Sequence, residues 1–169
     1  MSVEVLDQAT RQAIDGWIAK FPEGKQQSAV LMALRILQDT YGFLEDKHIQ
    51  AVADYLSMPK LQVLEVAMFY NMYRHKPVGK YVLKVCVSIA CHLCKAGALL
   101  TFLQEHLGIA LGETTADGLF TLQEAECLAA CVDAPVLLVN DKDYYRGLTQ
   151  EKAVTLIAQL RNSVGDVTE

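Results

Sequence analysis

The chain has 169 residues, 52% of them hydrophobic and 21% charged, and its formal net charge is −5. This composition supports a packed core and argues against intrinsic disorder, while the acidic balance argues against nucleic acid as a partner. No apolar run approaches the roughly 18 residues that a membrane span needs, so we expect no direct membrane insertion. The first residues resemble neither a secretory signal nor a mitochondrial presequence, which favours a cytoplasmic protein in a reducing compartment.

The first 76 residues repeat their apolar side chains at helical spacing. We predict four helices here, over 7–21, 26–42, 45–56 and 60–73. The fourth is apolar on nearly every side, so it is expected to be the most buried of the four. Pro77 and Gly79 then end the helical region. The sequence therefore predicts an N-terminal helical bundle over residues 1–76.

The remainder, residues 77–169, alternates between strand and helix patterns. The predicted elements are a strand, a helix, a second strand, a two-stranded hairpin and a final helix, over 81–87, 95–108, 118–122, 135–140 with 144–147, and 150–162. This α/β order within about 90 residues is typical of a thioredoxin-like domain. The four histidines are scattered, and we expect them to be exposed.

The five cysteines form two tight groups, which favours metal or redox chemistry over disulfides. A [2Fe–2S] cluster takes four thiolates, and two ligand sets fit. One is the plant-type set of Cys86, Cys91, Cys94 and Cys127; the other combines Cys86-x4-Cys91 with Cys127-x3-Cys131. We favour the second, because the first leaves Cys131 idle. Helix-forming residues after Cys91 also place Cys94 on the first turn of a helix.

Two other interpretations of the cysteines stay open at this point. Cys91, Cys94, Cys127 and Cys131 have spacings that suit a structural zinc ion, which would make the chain a zinc-stabilised interaction module. The stretch "CHLC" at the start of a helix is also typical of a redox-active dithiol. Each interpretation leaves at least Cys86 unexplained.

Several stretches in order resemble one known family, the thioredoxin-like iron–sulfur subunits of NADH-quinone oxidoreductase, respiratory complex I. They are "VAMFYNMYRHKPVGKY", "VCVSIAC", "DGLFTL", "ECLAAC", "APV" and "YYRGLT", and the likeness runs from about residue 28 to 165. The resemblance implies a thioredoxin-like ferredoxin domain behind a helical bundle. It implies one [2Fe–2S] cluster on Cys86, Cys91, Cys127 and Cys131.

The resemblance also implies a function and a partner. The cluster would exchange single electrons with the FMN of an NADH-oxidising partner subunit, in a complex at the inner membrane. The chain itself contains no G-x-G-x-x-G or phosphate-loop motif. The same module occurs in soluble NAD-linked hydrogenases and formate dehydrogenases, which remain an alternative within the family. Backbone N–H groups after Cys91 and within Leu128–Ala130 are expected to donate to sulfur.

Three positions carry more detailed expectations from the resemblance. The family usually has Thr where this chain has Met68, which bears on packing or an interface contact. It usually has Gly where this chain has Ala129, and we expect the loop to have relaxed into a conformation that suits alanine. Pro135 occupies the place where thioredoxin-like folds often have a cis-proline, so a cis bond is expected there.

Overall fold

The structure is a computed structural model, and it describes residues 5–165. The chain forms two compact units that divide between Pro77 and Val78. None of the helices in the described range is both long enough and apolar enough to span a bilayer.

The first unit consists of helices packed on one apolar core. Its α-helices are α1 (Gln8–Ile18), α2 (Val30–Tyr41), α3 (Asp46–Leu56) and α4 (Lys60–Phe69). A short 3-10 turn, Gln26–Ala29, leads into α2. Ile14, Leu34 and Leu37 are among its fully buried side chains. The four predicted helices are therefore present.

The expectation that α4 is the most buried helix is wrong. Only Val63 and Ala67 of α4 are buried, whereas Leu61, Met68 and Phe69 are 65%, 64% and 80% exposed. Apolar residues all round a helix are typical of a buried helix, but α4 presents only the face with Val63 and Ala67 to the core. Met68 lies on the exposed part of α4, away from the core of its unit.

One histidine also departs from expectation. His48 is 1% exposed, whereas His75, His92 and His106 are exposed as predicted. Its Nδ1 accepts a hydrogen bond from the Glu45 backbone N–H at 2.9 Å, where α3 begins. This hydrogen bond satisfies one of the free backbone donors at the start of a helix, which the sequence pattern alone did not indicate.

The second unit is a four-stranded mixed sheet with helices, as the thioredoxin-like prediction requires. Its elements are β1 (Tyr81–Cys86), α5 (Ile89–Leu93), α6 (Ala96–Leu107), β2 (Phe120–Ala125), β3 (Leu137–Val139), β4 (Asp143–Tyr145) and α7 (Gln150–Gly165). The strand order is β2-β1-β3-β4. β1 and β2 are parallel, and β3 is antiparallel to both β1 and β4. The predicted α/β fold is confirmed, and the short helix α5 is an addition that the sequence did not predict.

The parallel pairing of β1 and β2 decides where the cysteines meet. In the observed register Cys86, the last residue of β1, lies opposite Ala125, the last residue of β2. The chain therefore leaves both strands at the same edge of the sheet, where ligands of open α/β sheets commonly bind. The two cysteine motifs follow these two strand ends.

Candidate metal centre

Cys86 and Cys91 belong to the core of the second unit. They are 2% and 1% exposed and pack within its main apolar cluster. Cys86 closes β1, and its backbone N–H donates to the Val136 carbonyl at 3.0 Å. Cys91 lies in the middle of the single-turn helix α5, and its thiol interacts with that of Cys86 at the end of β1. This half of the site is thus positioned by the strand, the helix and the core together.

Cys127 and Cys131 lie instead on the exposed loop between β2 and β3. The Ala129 N–H donates to Cys127 Sγ at 3.4 Å. A 3-10 turn follows at Cys131–Asp133, and it is closed by a hydrogen bond from the Asp133 N–H to the Ala130 carbonyl at 3.1 Å. These local contacts fold the loop back on itself and hold its two sulfurs near each other.

The expectation that the loop at Ala129 has relaxed into a conformation that suits alanine is wrong. Ala129 has φ 57°, in the left-handed region that favours glycine. An alanine in this conformation costs roughly 1 kcal/mol more than a glycine. The conformation coincides with the contact between the Ala129 N–H and Cys127 Sγ, so the loop keeps a glycine-like geometry at this position.

The four sulfurs are arranged as two interacting pairs. Burial and then the neighbouring Cys86 thiol raise the pKa of Cys91 to about 11. The pKa of Cys131 is raised first by a hydrogen bond with Cys127 and then by the charge of Cys127. The charge of Cys131 also raises the pKa of Cys91, and that of Cys86 raises the pKa of Cys131, so the two pairs lie near each other. Bound iron would reverse this trend, because a metal ion deprotonates a coordinating thiol outright.

This arrangement fits a two-iron centre. A [2Fe–2S] cluster bound by four cysteines takes two thiolates at each iron, and the chain offers two pairs of thiols. Within residues 5–165, the two pairs do not form one convergent group of three or more His, Cys, Asp or Glu side chains. The donor chemistry is all sulfur, which suits iron–sulfur ligation.

Cys94 is placed apart from these pairs. It is exposed and follows the single turn of α5 as its C-cap, whereas α6 begins at Ala96, so the prediction that Cys94 lies on the first turn of a helix is wrong. Cys94 lines a cavity of about 240 Å³ together with Leu99, Pro135 and Leu148.

The hydrogen-bond donors to sulfur were predicted only in part. The Ala129 N–H is one of them, as expected. The N–H groups after Cys91 are not free, since His92 and Cys94 donate to carbonyls within α5 and its first turn. A donor that the sequence did not indicate is the Val136 N–H, which bonds to Cys91 and lowers its pKa against the larger effect of burial.

Val136 contacts both buried cysteines. The peptide bond between Ala134 and Pro135 is cis, which confirms the expectation from the resemblance. Val136 comes directly after this bond. Its carbonyl accepts from Cys86 and its N–H donates to Cys91, so one residue contacts both members of the buried pair.

Comparison with known proteins agrees with this fold. The family model described as thioredoxin-like [2Fe–2S] ferredoxin matches residues 14–161. The chain therefore belongs to the thioredoxin-like [2Fe–2S] ferredoxins, and its cofactor is one [2Fe–2S] cluster. A zinc ion, which the cysteine spacing left open, is not needed to explain the site.

The similar curated proteins carry a more particular name, that of NADH-quinone oxidoreductase subunits. One from Rickettsia conorii is 43% identical over 146 residues, which cover 86% of this chain and 87% of that protein. NADH-quinone oxidoreductase subunit 2 of Thermus thermophilus is 39% identical over 143 residues, covering 85% and 79%. These matches confirm the family that the sequence resemblance indicated.

A solved structure shares the fold at lower identity. A chain of an NAD+-reducing [NiFe]-hydrogenase in the H2-reduced state matches with a TM-score of 0.66 and 21% identity. The match covers 76% of this chain but only 22% of the hydrogenase chain. At this identity the likeness concerns the fold alone.

Proposed function

We propose that the chain is the electron-transfer subunit of an NADH-quinone oxidoreductase. Cys86, Cys91, Cys127 and Cys131 hold one [2Fe–2S] cluster, which exchanges single electrons with the FMN of a partner NADH-oxidising subunit. The observation that carries this proposal is the meeting of two cysteine pairs at one edge of the sheet, in a chain about 40% identical to subunits of that complex over most of its length.

The chain's own residues divide the work of holding the cluster. When bound, a [2Fe–2S] cluster supplies storage for one electron. Cys86 and Cys91 anchor one side of it in a region from which water is excluded, because both thiols are buried. The N–H groups of Val136 and Ala129 donate to sulfur, which favours the more negatively charged state. Cys127 and Cys131 present the other side to the surface, where we place electron entry and exit.

Exposed apolar side chains surround that surface and support a docked partner there. Ile89, Leu93 and Val132 are 81%, 78% and 99% exposed, and each lies within two residues of a proposed ligand. Apolar residues that are exposed together commonly mark protein–protein contacts. The flavin subunit is the occupant we propose, because electron transfer requires it to approach the cluster closely.

Domain organisation and location complete the proposal. We propose that residues 1–76 and 77–169 are separate domains, a helical bundle and the cluster domain; the division between Pro77 and Val78 supports this boundary. We place the chain on the cytoplasmic side of the inner membrane, at the periphery of the complex, with the partner subunits providing its attachment.

The test is reconstitution with the flavin subunit. The cluster-loaded chain alone should not oxidise NADH with an artificial acceptor, and NADH should reduce its cluster only when the flavin subunit is added. Rapid-freeze EPR would follow the reduced cluster directly. NADH turnover by the isolated chain, or a cluster that stays oxidised beside active flavin subunit, would refute the proposal.

A second candidate function is the equivalent subunit of a soluble NAD-linked hydrogenase or formate dehydrogenase. The observation that supports this second candidate is the fold that the chain shares with a chain of an NAD+-reducing [NiFe]-hydrogenase. Both candidates place the same cluster beside a flavin subunit. They differ only in the other proteins that assemble with this chain and the flavin subunit. Affinity purification of the chain from its own cells, followed by identification of quinone-reducing or hydrogen-activating subunits, separates them.

A further inference from the structure

The segment after Cys131 is attached to the connection between β4 and α7. The Gly147 N–H donates to the Asp133 carbonyl at 2.6 Å, and the Leu148 N–H donates to the Pro135 carbonyl at 3.1 Å. An ion pair lies beside these backbone contacts, with Arg146 Nη1 at 3.4 Å from Asp133 Oδ2. Backbone contacts and ion pair together fix two opposite charges next to the exposed half of the cysteine site.

Both charges are close to Cys131. Asp133 is two residues further along the chain, so the two Cα atoms are at most about 7 Å apart. The turn between them is closed by the hydrogen bond from the Asp133 N–H to the Ala130 carbonyl. The Arg146 guanidinium also lies 5.8 Å from the centre of the Tyr144 ring.

We propose that Asp133 and Arg146 are positioning residues that set the reduction potential of the cluster. Each masks the other's charge: Arg146 shields the cluster from the Asp133 carboxylate, and Asp133 limits the attraction of Arg146 for the added electron. This inference rests on the proposed function, specifically on Cys131 as a ligand, and adds the residues that tune the site.

The sign of each effect follows from electrostatics. A [2Fe–2S] centre with four thiolates carries a charge of about −2, and reduction by one electron makes it about −3. A nearby cation therefore favours reduction and a nearby anion opposes it. Removing Arg146 leaves an unshielded carboxylate and lowers the potential. Removing the charge of Asp133 leaves an unshielded guanidinium and raises it.

The chain contains a matched control pair. Arg161 Nη1 lies 3.5 Å from Asp117 Oδ2, with side chains 49% and 39% exposed, against 57% and 48% for Arg146 and Asp133. Arg161 also stands over an aromatic ring, that of Phe120. This pair is near the start of β2, whereas the cysteine loop follows its end, and six strand residues span about 20 Å. That separation is about two Debye lengths at physiological salt, so its charges should be screened from the cluster.

The experiment is a redox titration of cluster-loaded variants, followed by EPR of the reduced state. In Arg146→Gln the ratio of reduced to oxidised cluster at a fixed potential should fall by about two- to fivefold. This corresponds to about 20–40 mV at 59 mV per tenfold. Asp133→Asn should shift the ratio by a similar factor in the opposite direction, and the double variant should return close to the starting value. Arg146→Lys, which keeps the charge, and Arg161→Gln should both leave the potential unchanged.

Opposite shifts that shrink at high salt are the expected result, because half-exposed charges are screened. Shifts of the same sign in both single variants would show that the pair only maintains the shape of the loop, and equal potentials in all variants would show that it does not act on the cluster. Either outcome overturns the inference. Failure of the proposed function is distinguishable, since it would appear as a cluster that survives Cys131→Ala.

Discussion

The two cysteine pairs of the site are held in contrasting ways. Cys86 and Cys91 are buried and attached to a strand end and a helix, with Val136 contacting both. Cys127 and Cys131 are exposed on a loop that is shaped by a left-handed residue and one tight turn. The difference indicates that one half of the site is formed by folding itself, while the other half depends on local backbone geometry and on the bound cluster.

Single substitutions of the cysteines should have the strongest effect, and they test whether both pairs are ligands. Replacing Cys86, Cys91, Cys127 or Cys131 by Ala should abolish the visible absorption and the reduced-state EPR signal, because one of the two irons then lacks a thiolate. Cys94→Ala is the matched control and should keep both signals. If Cys94→Ala loses the cluster while Cys131→Ala retains it, the plant-type ligand set is correct and the two-pair description fails.

Thiol labelling of the cluster-free protein sharpens the contrast between the pairs. Cys127 and Cys131 should react with an alkylating reagent about 30-fold faster than Cys86 and Cys91, or more. The buried thiols react only after the core opens, which costs about 2 kcal/mol or more even in a marginal domain. Mass spectrometry of timed samples measures each rate. Cys94, which is exposed, should react as fast as the loop pair, and equal rates at all five cysteines would contradict the comparison.

Removal of the cluster should loosen the two halves unequally. Amide hydrogen exchange in residues 126–134 should rise by about tenfold or more, because few backbone hydrogen bonds hold that loop. Exchange in β1 should change little, since β1 is bonded to a strand on either side. Mass-spectrometric exchange of the loaded and chelator-treated protein provides the comparison. A rise in β1 equal to that in the loop would mean that the buried half also depends on the cluster.

The smallest effect concerns the geometry of the loop itself. Ala129→Gly should stabilise the loaded protein by up to about 1 kcal/mol, because glycine adopts φ 57° without the cost that alanine bears. Ala130 has φ −121°, so Ala130→Gly should be neutral or destabilising. Thermal unfolding of both variants measures the difference. A melting temperature that rises equally in the two variants, or in neither, would show that Ala129 is not strained.

Apart from the short helix α5, the order of helices and strands could be predicted from the sequence, because apolar periodicity and turn residues are local signals. It also indicated four cysteines as ligands from spacing and family resemblance, and that ligand set stays a prediction. The sequence did not indicate which residues are buried in a core. The apolar pattern of α4 looked fully buried, yet its outward residues are exposed, and His48 looked exposed, yet it is buried beside the start of α3.

The finer geometry of the site depends on tertiary contacts that the sequence does not reveal. The register of β1 against β2 places the two cysteine motifs at one edge, and pairing between distant strands leaves no short-range sequence signal. The backbone of Val136 supplies a donor that no side-chain pattern reveals. Ala129 keeps a left-handed conformation against its own preference, because contacts across the loop fix the backbone more strongly than the residue's intrinsic tendency does.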